Sequence, residues 1–173
     1  GRGFDLLRRA GVGVAVGCCV DACAELIAPF SKRVGEGLPY VTLKLAMTLD
    51  GRIADRRGAS KWITGEAART AVQKLRRRAD AVMVGAGTVL ADDPSLTCRL
   101  PGAGGRWRVE IDGAGRVPPT ARLFRDGAPG PTVVCTARGT AHPVAAAGTV
   151  GGDTRVWPFA ARGGRFSLRA VLR

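Results

Sequence analysis

Apolar and polar positions in the middle of the chain follow the order of a parallel α/β unit. An apolar run at residues 41–47 predicts a strand, and a polar loop follows it. A helix with Thr64 as its N-cap comes next, with apolar side chains at helical spacing along one face. A second strand, at residues 81–84, runs directly into the glycine turn of residues 85–88. This order predicts an α/β domain, in which ligands collect where loops leave the carboxyl ends of the strands.

Four shorter segments continue the pattern towards the end of the chain. Residues 107–111, 132–135 and 155–157 predict strands, and residues 166–173 predict the start of a helix. Gly, Pro, Ala and Thr dominate the stretches between them, which is typical of connecting loops.

The first 37 residues have a different pattern, that of the end of a domain. A helix opens the chain, residues 12–16 predict a short strand, and residues 19–30 predict a second helix that Pro29 ends or kinks. Residues 31–39 are rich in Gly and basic side chains and predict a linker. A helix–strand–helix segment of this size cannot bury its own apolar face, so we expect it to pack on something else.

Composition limits the classes of function. The chain has 173 residues, enough for one domain with a core, and no apolar run as long as a membrane span. The formal charge of +13 favours an anionic partner, but the arginines are scattered, as a coding bias towards Arg would leave them. We expect a soluble, cytoplasmic protein that binds no nucleic acid and no membrane, with an anionic small molecule as the alternative explanation of the charge.

Cysteine and histidine spacings predict no metal site. The chain lacks a C-x-x-C motif, and the single His142 has no partner histidine and no H-x-E pattern. We interpret the five cysteines as free thiols in a reducing compartment: Cys18, Cys19, Cys23, Cys98 and Cys135.

The turn after the second strand has residues suited to a ligand. Gly85 and Gly87 let the backbone turn sharply and approach a ligand closely, and Thr88 adds a hydroxyl group. Most G-x-G sequences are simply turns, so this signal is weak by itself. Asp92 and Asp93 precede a proline, and either carboxylate serves a site or an Asx turn.

Two side chains in the earlier segments are unusual for their positions. Lys44 lies in an otherwise apolar strand, so it either faces outward or needs a partner or ligand for its ammonium group. Trp62 is either a core residue or a flat surface for a ligand ring, and its polar neighbours Ser60, Lys61 and Thr64 favour the second interpretation.

Three ordered motifs together resemble a known family. They read LKLAMTLDGRIA, SKWITGEAAR and DAVMVGAGTVLADDPSLTCR, and they cover about sixty residues. They look like the reductase domain of the bifunctional riboflavin-biosynthesis deaminase/reductase, the diaminohydroxyphosphoribosylaminopyrimidine deaminase / 5-amino-6-(5-phosphoribosylamino)uracil reductase. A looser likeness continues to about Leu123, and the opening stretch resembles the end of the same family's deaminase domain.

The resemblance implies a fold and a division into domains. The fold is a dihydrofolate-reductase-like, three-layer α/β reductase domain with a mixed sheet, incomplete at its C-terminal end. The tail of a cytidine-deaminase-like domain precedes it. Residues 1–37 would be the deaminase remnant and linker, and residues 38–173 the N-terminal portion of the reductase domain.

The resemblance also implies an activity and a set of site residues. The reaction is NADPH-dependent reduction of 5-amino-6-(5-phosphoribosylamino)uracil, in which hydride reaches the sugar C1 and opens the ribose to a ribityl chain. Lys44 would be catalytic, by orienting the sugar or assisting proton transfer. The cofactor would contact Ala46, Trp62, Gly85, Gly87, Thr88 and Asp92. The substrate would contact Ser60, Arg76, Leu96 and Arg99, where two arginines suit a phosphate.

Departures from the family pattern leave alternatives open. The zinc motif of the deaminase half does not occur here, so the resemblance implies zinc only for a half outside this chain. An inactive relative that serves as a binding or assembly module is the alternative function, and a basic nucleic-acid-binding protein is a third. Dimers are common in the family, so a homodimer is compatible with the resemblance.

Overall fold

The computed structural model describes residues 1–147, 152–163 and 165–173. The chain divides into two compact units. The first comprises residues 1–43 with residues 172–173, and the second comprises residues 44–171. The domain boundary expected between residues 37 and 38 stays a prediction.

The first unit is helical. It contains α1 (Arg2–Arg9), α2 (Val20–Leu26) and α3 (Ala28–Glu36). The opening helix is confirmed, but the strand expected at residues 12–16 is wrong, because residues 12–17 form neither helix nor strand. Pro29 lies in the first turn of α3, where a backbone N–H would have no partner within the helix. The proline is therefore compatible with the start of α3, which follows α2 as a separate helix.

The linker expected at residues 31–39 is also wrong over most of its length. These residues continue α3 to Glu36, and Lys32 forms an ion pair with Glu36 one turn later, 3.2 Å between Nζ and Oε2. Gly37 ends the helix in the left-handed conformation, and Arg33 Nη1 donates to its carbonyl oxygen at 2.7 Å. Local pairs and a glycine cap therefore stabilise helix in a sequence whose composition predicts a linker.

The strand expected at residues 41–47 is wrong as well. These residues form neither helix nor strand. Val41, Leu43 and Leu45 are 60%, 80% and 57% exposed. A strand needs a neighbour for its backbone hydrogen bonds, and within the described ranges no strand pairs with this segment.

The second unit is built on a four-stranded parallel sheet. Its strands are β1 (Ala81–Gly85), β2 (Trp107–Ile111), β3 (Thr132–Ala137) and β4 (Thr154–Phe159), in that spatial order. The strands predicted at residues 81–84, 107–111, 132–135 and 155–157 are confirmed, β2 with the same bounds. The expectation of a mixed sheet is wrong for the described residues, since every pair in this sheet is parallel.

In the described ranges of this unit, five helices connect and flank these strands. They are α4 (Glu66–Arg78), α5 (Ala86–Asp92), α6 (Arg122–Arg125), α7 (Pro143–Ala146) and α8 (Leu168–Val171). The N-cap of α4 is Gly65 and not Thr64. The helix expected within residues 166–173 is confirmed as α8, and α5 was not expected. Within the described ranges, no helix has the length and apolar character needed to cross a bilayer.

The main core lies on one face of the sheet. Every residue of β3 is buried, and α5, α6 and α7 each contribute buried apolar side chains. The buried members of this cluster are Ala86, Val89, Val117, Ala121, Leu123, Phe124, Val134 and Val144. Since parallel sheets need cover, these helices hold the carboxyl ends of the strands in place.

Removal of the Phe124 ring tests this core. Phe124 is fully buried, so Phe124→Ala is expected to lower the free energy of unfolding by about 3–5 kcal/mol. Phe30, 68% exposed, offers a matched control, and Phe30→Ala is expected to change that free energy by about 0.5 kcal/mol or less. Equal shifts of the urea midpoint in the two variants would contradict this location of the core.

Candidate active site

The carboxyl end of β1 leads straight into α5. Gly85 is the N-cap of α5 in an extended conformation, φ −87° and ψ 160°, so it makes no sharp turn. A Cβ atom built on Gly85 or Gly87 would meet no atom within 4 Å. Thr88 is exposed beside them. Neither glycine has a positive φ, and both have open space for the close approach of a ligand.

Ser60 and Asp92 connect two sets of expected site residues. Ser60 Oγ donates to Asp92 Oδ1 at 3.1 Å, although the residues are far apart in sequence. The next aspartate has another role, since Asp93 Oδ1 accepts the Arg122 backbone N–H at 2.7 Å at the start of α6. The two adjacent carboxylates therefore have different roles. Asp92 belongs to the candidate site, and Asp93 stabilises the start of α6.

Trp62 lies near this contact in the sequence and presents its ring to solvent. The side chain is 73% exposed, so it is not a core residue. Arg69 places its guanidinium carbon 4.5 Å from the ring centroid, and its Nη1 donates to the Thr64 carbonyl at 2.7 Å. The tryptophan is therefore held at its loop while much of its surface remains available to a flat ligand.

Arg76 and Arg99 form the positive part of the candidate site. Burial lowers the pKa of Arg76, and the positive charge of Arg99 acts in the same direction. In the part of the chain that the structure describes, neither arginine has a carboxylate within ion-pairing distance. Two neighbouring positive charges with no acid partner are suited to an anionic ligand.

Hydrogen bonds join the loop at residues 93–99, which contains Arg99, to helix α4, which contains Arg76. Arg76 Nη1 donates to the Thr97 carbonyl oxygen at 2.8 Å. Gln73 accepts twice: its side-chain Oε1 from the Arg99 backbone N–H at 2.8 Å, and its carbonyl oxygen from the Cys98 thiol at 3.4 Å. The loop is therefore tied to one turn of α4 at three successive residues.

Leu96 sits in the same loop with an unusual backbone. Its φ is +57°, in the left-handed region that side chains other than glycine rarely adopt, and it is 2% exposed. Arg108, buried in β2, donates weakly from Nη1 to the neighbouring Ser95 carbonyl at 3.5 Å. Leu96 is buried as a whole residue, so its expected place in the substrate site stays a prediction.

Lys44 and Ala46 belong to the unpaired segment before this site. Lys44 is exposed and Ala46 is half-buried. Among the described residues, Lys44 makes no side-chain ion pair. Of the two alternatives for this lysine, the exposed position is the one found, and no contact joins it to the arginine pair.

The sequence analysis missed Gln73, Arg69 and Arg108. Gln73 is a polar residue of a helix, and its contact with Arg99 spans 26 positions, so no local signal identifies it. Arg69 follows Trp62 by seven positions but lies in α4, whereas Trp62 lies in the loop before it, so helical spacing does not identify this contact. Arg108 lies in an alternating strand, where it would be expected to face water.

Comparison with known proteins gives the family of this chain. The family model described as the RibD C-terminal domain matches residues 39–161. The riboflavin biosynthesis protein RibD of Bacillus amyloliquefaciens is 48% identical over 141 residues, which are 81% of this chain and 38% of that protein. RibD of Aquifex aeolicus is 42% identical over 137 residues, 79% of this chain and 38% of that protein. The chain thus spans under two fifths of the length of these relatives.

Solved structures give the same result for the fold. The Thermotoga maritima diaminohydroxyphosphoribosylaminopyrimidine deaminase/5-amino-6-(5-phosphoribosylamino)uracil reductase superposes with a TM-score of 0.72 at 32% identity, over 91% of this chain and 50% of that one. Acinetobacter baumannii RibD, form 1, superposes with a TM-score of 0.72 at 34% identity, over 99% of this chain and 46% of that one. These likenesses confirm the expected dihydrofolate-reductase-like α/β fold, present here in part. The chain belongs to the RibD C-terminal domain family.

Proposed function

We propose that this chain takes part in the NADPH-dependent reduction of 5-amino-6-(5-phosphoribosylamino)uracil to its ribitylamino product. The observation that carries the proposal is the pair of interacting arginines, Arg76 and Arg99, which have no acid partner among the described residues. Family membership supplies the reaction class, because the Thermotoga maritima relative is named as this reductase.

The arginine pair suits the phosphate of such a substrate. Guanidinium groups form short, charge-assisted hydrogen bonds with phosphate oxygens, often in pairs. Binding an anion would offset the burial and the positive charge of Arg99, which both lower the pKa of Arg76. The loop at residues 93–99 is tied to α4, so Arg99 enters the site on a backbone that is already ordered.

The residues at the end of β1 suit the cofactor. Open space beside Gly85 and Gly87 lets a ligand approach the backbone, and Thr88 and the exposed ring of Trp62 offer a hydroxyl group and a flat apolar surface. When bound, NADPH would supply the hydride, and the protein would mainly position the two reactants. The Ser60–Asp92 hydrogen bond joins the substrate set to the cofactor set.

Lys44 is the proposed catalytic residue. Its ammonium group forms no ion pair among the described residues and is exposed, so it is free to meet a ligand. In the proposed reaction it orients the ribose or assists the proton uptake that accompanies hydride arrival at C1. A homodimer of this chain is compatible with the proposal, which needs no second copy for these contacts.

Loss of Lys44 tests the catalytic assignment. Lys44→Gln is expected to abolish substrate-dependent NADPH oxidation while NADPH still binds, because only the transition state would need the ammonium group. Lys61→Gln, another exposed lysine in the same unit, is the matched control and should leave oxidation unchanged. The measurement is NADPH absorbance together with calorimetric NADPH binding.

Wild-type protein that binds no NADPH would support an inactive binding module, and salt-sensitive retention on DNA or RNA would support a nucleic-acid binder.

Loss of one guanidinium group tests the phosphate site. Arg99→Gln removes a charge-assisted interaction worth about 1.5–3 kcal/mol, so the KM for the pyrimidine substrate is expected to rise about 10- to 150-fold, with little change in kcat. Arg78→Gln, an exposed arginine in the last turn of α4, should leave KM unchanged. Equal KM values for Arg99→Gln and the wild type would remove the phosphate assignment.

Gln73 provides a third test, of loop positioning. Gln73→Leu keeps the volume of the side chain but removes the acceptor for the Arg99 N–H. The loss of one hydrogen bond of about 1 kcal/mol is expected to weaken substrate binding about fivefold, without changing the charge of the site. Lys74→Leu, at the next and exposed position, controls for an apolar substitution on α4. An unchanged affinity in Gln73→Leu would show that the loop keeps its position without this bond.

A further inference from the structure

Outside the candidate site, three polar side chains are buried together next to the core. Glu110, Asp112 and His142 are 0%, 1% and 2% exposed, and one oxygen or nitrogen atom from each lies within 4.8 Å of the others. In the strand register, Glu110 lies between Val84 and Val134, so its carboxyl group is on an apolar face of the sheet. A cluster of this kind is costly unless its charges and hydrogen bonds are satisfied.

Asp112 and His142 satisfy one another. Asp112 Oδ2 accepts the Val117 backbone N–H at 2.9 Å and lies 3.2 Å from His142 Nε2. His142 Nδ1 accepts the Val144 backbone N–H at 3.2 Å. Since Nδ1 is an acceptor, the imidazole proton must be on Nε2, which donates it to Asp112. Burial lowers the pKa of His142 despite the nearby carboxylate, in keeping with a neutral ring.

Glu110 is the unsatisfied member. Both of its carboxyl oxygens lack a hydrogen-bond partner among the described residues, and so does Asp112 Oδ1. The Arg116 side chain, 60% exposed, places its Nε 3.9 Å from Asp112 Oδ1. Burial raises the pKa of Glu110 to about 8, and the charge of Asp112 acts in the same direction. Protonation turns one of these unpartnered oxygens into a hydrogen-bond donor, and Glu110 has a carboxyl oxygen within 4.8 Å of an oxygen of Asp112.

The residue types are also those of a metal centre, but the hydrogen bonds favour a proton. A histidine that binds a metal through one ring nitrogen usually donates from the other. Here the other nitrogen, Nδ1, accepts from Val144, so a metal on Nε2 would break the contact that begins α7.

We propose that Glu110, Asp112 and His142 form a proton-holding centre, in which Glu110 is a neutral acid, His142 is neutral and Asp112 carries the only charge. In this state Asp112 holds the turn at residues 113–117 through the Val117 N–H. Ionisation of Glu110 places a second negative charge beside Asp112, repels it, and loosens the turn. The centre is therefore a pH-sensitive device at the carboxyl end of β2.

The turn is well placed to influence the proposed cofactor site. Ile111 is the register partner of Gly85, so the backbone after each of them leaves the same edge of the sheet. The Gly113 carbonyl accepts from Thr140 Oγ1 at 3.1 Å and from the Ala137 N–H at 3.3 Å, which joins the turn to the end of β3. This consequence rests on the proposed function, but the charge state of the centre does not.

Among the described residues, Cys135 on β3 is near enough to Glu110 to be influenced by its charge, although the register pairs it with Ile111. Burial and then Glu110 raise the pKa of Cys135 to about 11, so it remains a neutral thiol. Arg108 is two residues earlier on the same strand and is paired with Asp126 at 2.8 Å. The helices over this face contribute apolar side chains, and the charged residues of α5 and α6 are exposed: Asp92, Arg122 and Arg125.

The pH dependence has a defined sign. The pKa of Glu110 is about 8 in the folded chain against an ordinary 4.5, so the folded state holds a proton that the unfolded state loses between these values. The stabilisation is complete below pH 4.5 and is lost as the pH rises to about 8. His142 acts in the opposite sense, because its lowered pKa gives stability that is lost as the pH falls below its ordinary 6.5. The interval above pH 6.5 therefore isolates Glu110.

The experiment is urea unfolding of the 173-residue chain between about pH 6.5 and 9, for the wild type and Glu110→Gln. Glu110→Gln keeps the shape of the neutral acid and cannot ionise. We expect the wild-type unfolding equilibrium constant to rise by up to about tenfold per pH unit relative to Glu110→Gln until pH 8. Glu66→Gln, at an exposed acid of α4, should keep the wild-type slope.

Three further measurements keep the proposal falsifiable if a variant unfolds. The ¹³C resonance of the Glu110 carboxyl in wild-type protein should be that of a neutral acid at pH 7. Hydrogen-exchange protection of the Val117 amide, corrected for intrinsic pH dependence, should fall above pH 8. An ionised Glu110 resonance at pH 7, or equal unfolding slopes in wild type and Glu110→Gln, would overturn the proposal. So would a visible Co²⁺ absorption band that is lost in His142→Gln. None of these readouts depends on reductase activity, so failure of the proposed function would leave them unchanged.

Discussion

The burial of β3 between β2 and β4 is the constraint on which the second unit depends. Every residue of this strand is buried, so its backbone groups must be paired on both sides, and parallel neighbours supply those bonds. Its side chains then require cover, which the short helices α5, α6 and α7 provide on one face. Because all four strands run parallel, their carboxyl ends meet at one edge of the sheet. The position of the glycines after β1 follows from that arrangement.

The candidate site combines an ordered loop with an unbalanced charge. Hydrogen bonds to Gln73 and from Arg76 fix the loop at residues 93–99, and the left-handed Leu96 is tolerated because its side chain is buried. This order brings Arg76 and Arg99 close enough to repel each other. A fold without an anionic ligand gains nothing from such a pair, so the repulsion is more readily explained by binding than by stability.

Buried polar groups recur on the core-facing side of β2. Arg108, Glu110 and Asp112 alternate along one face, and all three are at most 2% exposed. Arg108 is neutralised by Asp126, and Asp112 is held by a backbone N–H and a histidine. Glu110 has neither kind of partner, so loss of its charge is the least costly way to bury it. The inner strand β2 thus contains ionisable groups that a purely structural strand would not need.

The sequence by itself determined the family, the α/β class and the strands of the second unit. Those features depend on local signals: apolar runs that only buried parallel strands tolerate, and motifs whose order is specific. The same local signals were wrong for residues 12–16, 31–39 and 41–47, where short-range helix contacts or the lack of a neighbouring strand decided the conformation. The candidate residues Ser60, Trp62 and Arg76 could be named from motifs, but not the contacts that connect them.

Only the tertiary structure decided which distant residues meet. Gln73 contacts Arg99 across 26 positions, and His142 reaches Asp112 across 30, and no spacing in the sequence encodes either pair. The division of roles between Asp92 and Asp93 likewise depends on which element each side chain faces after packing. The charge of a buried acid such as Glu110 is set by the dielectric and the partners around it, and these exist only once the sheet and its helices have assembled.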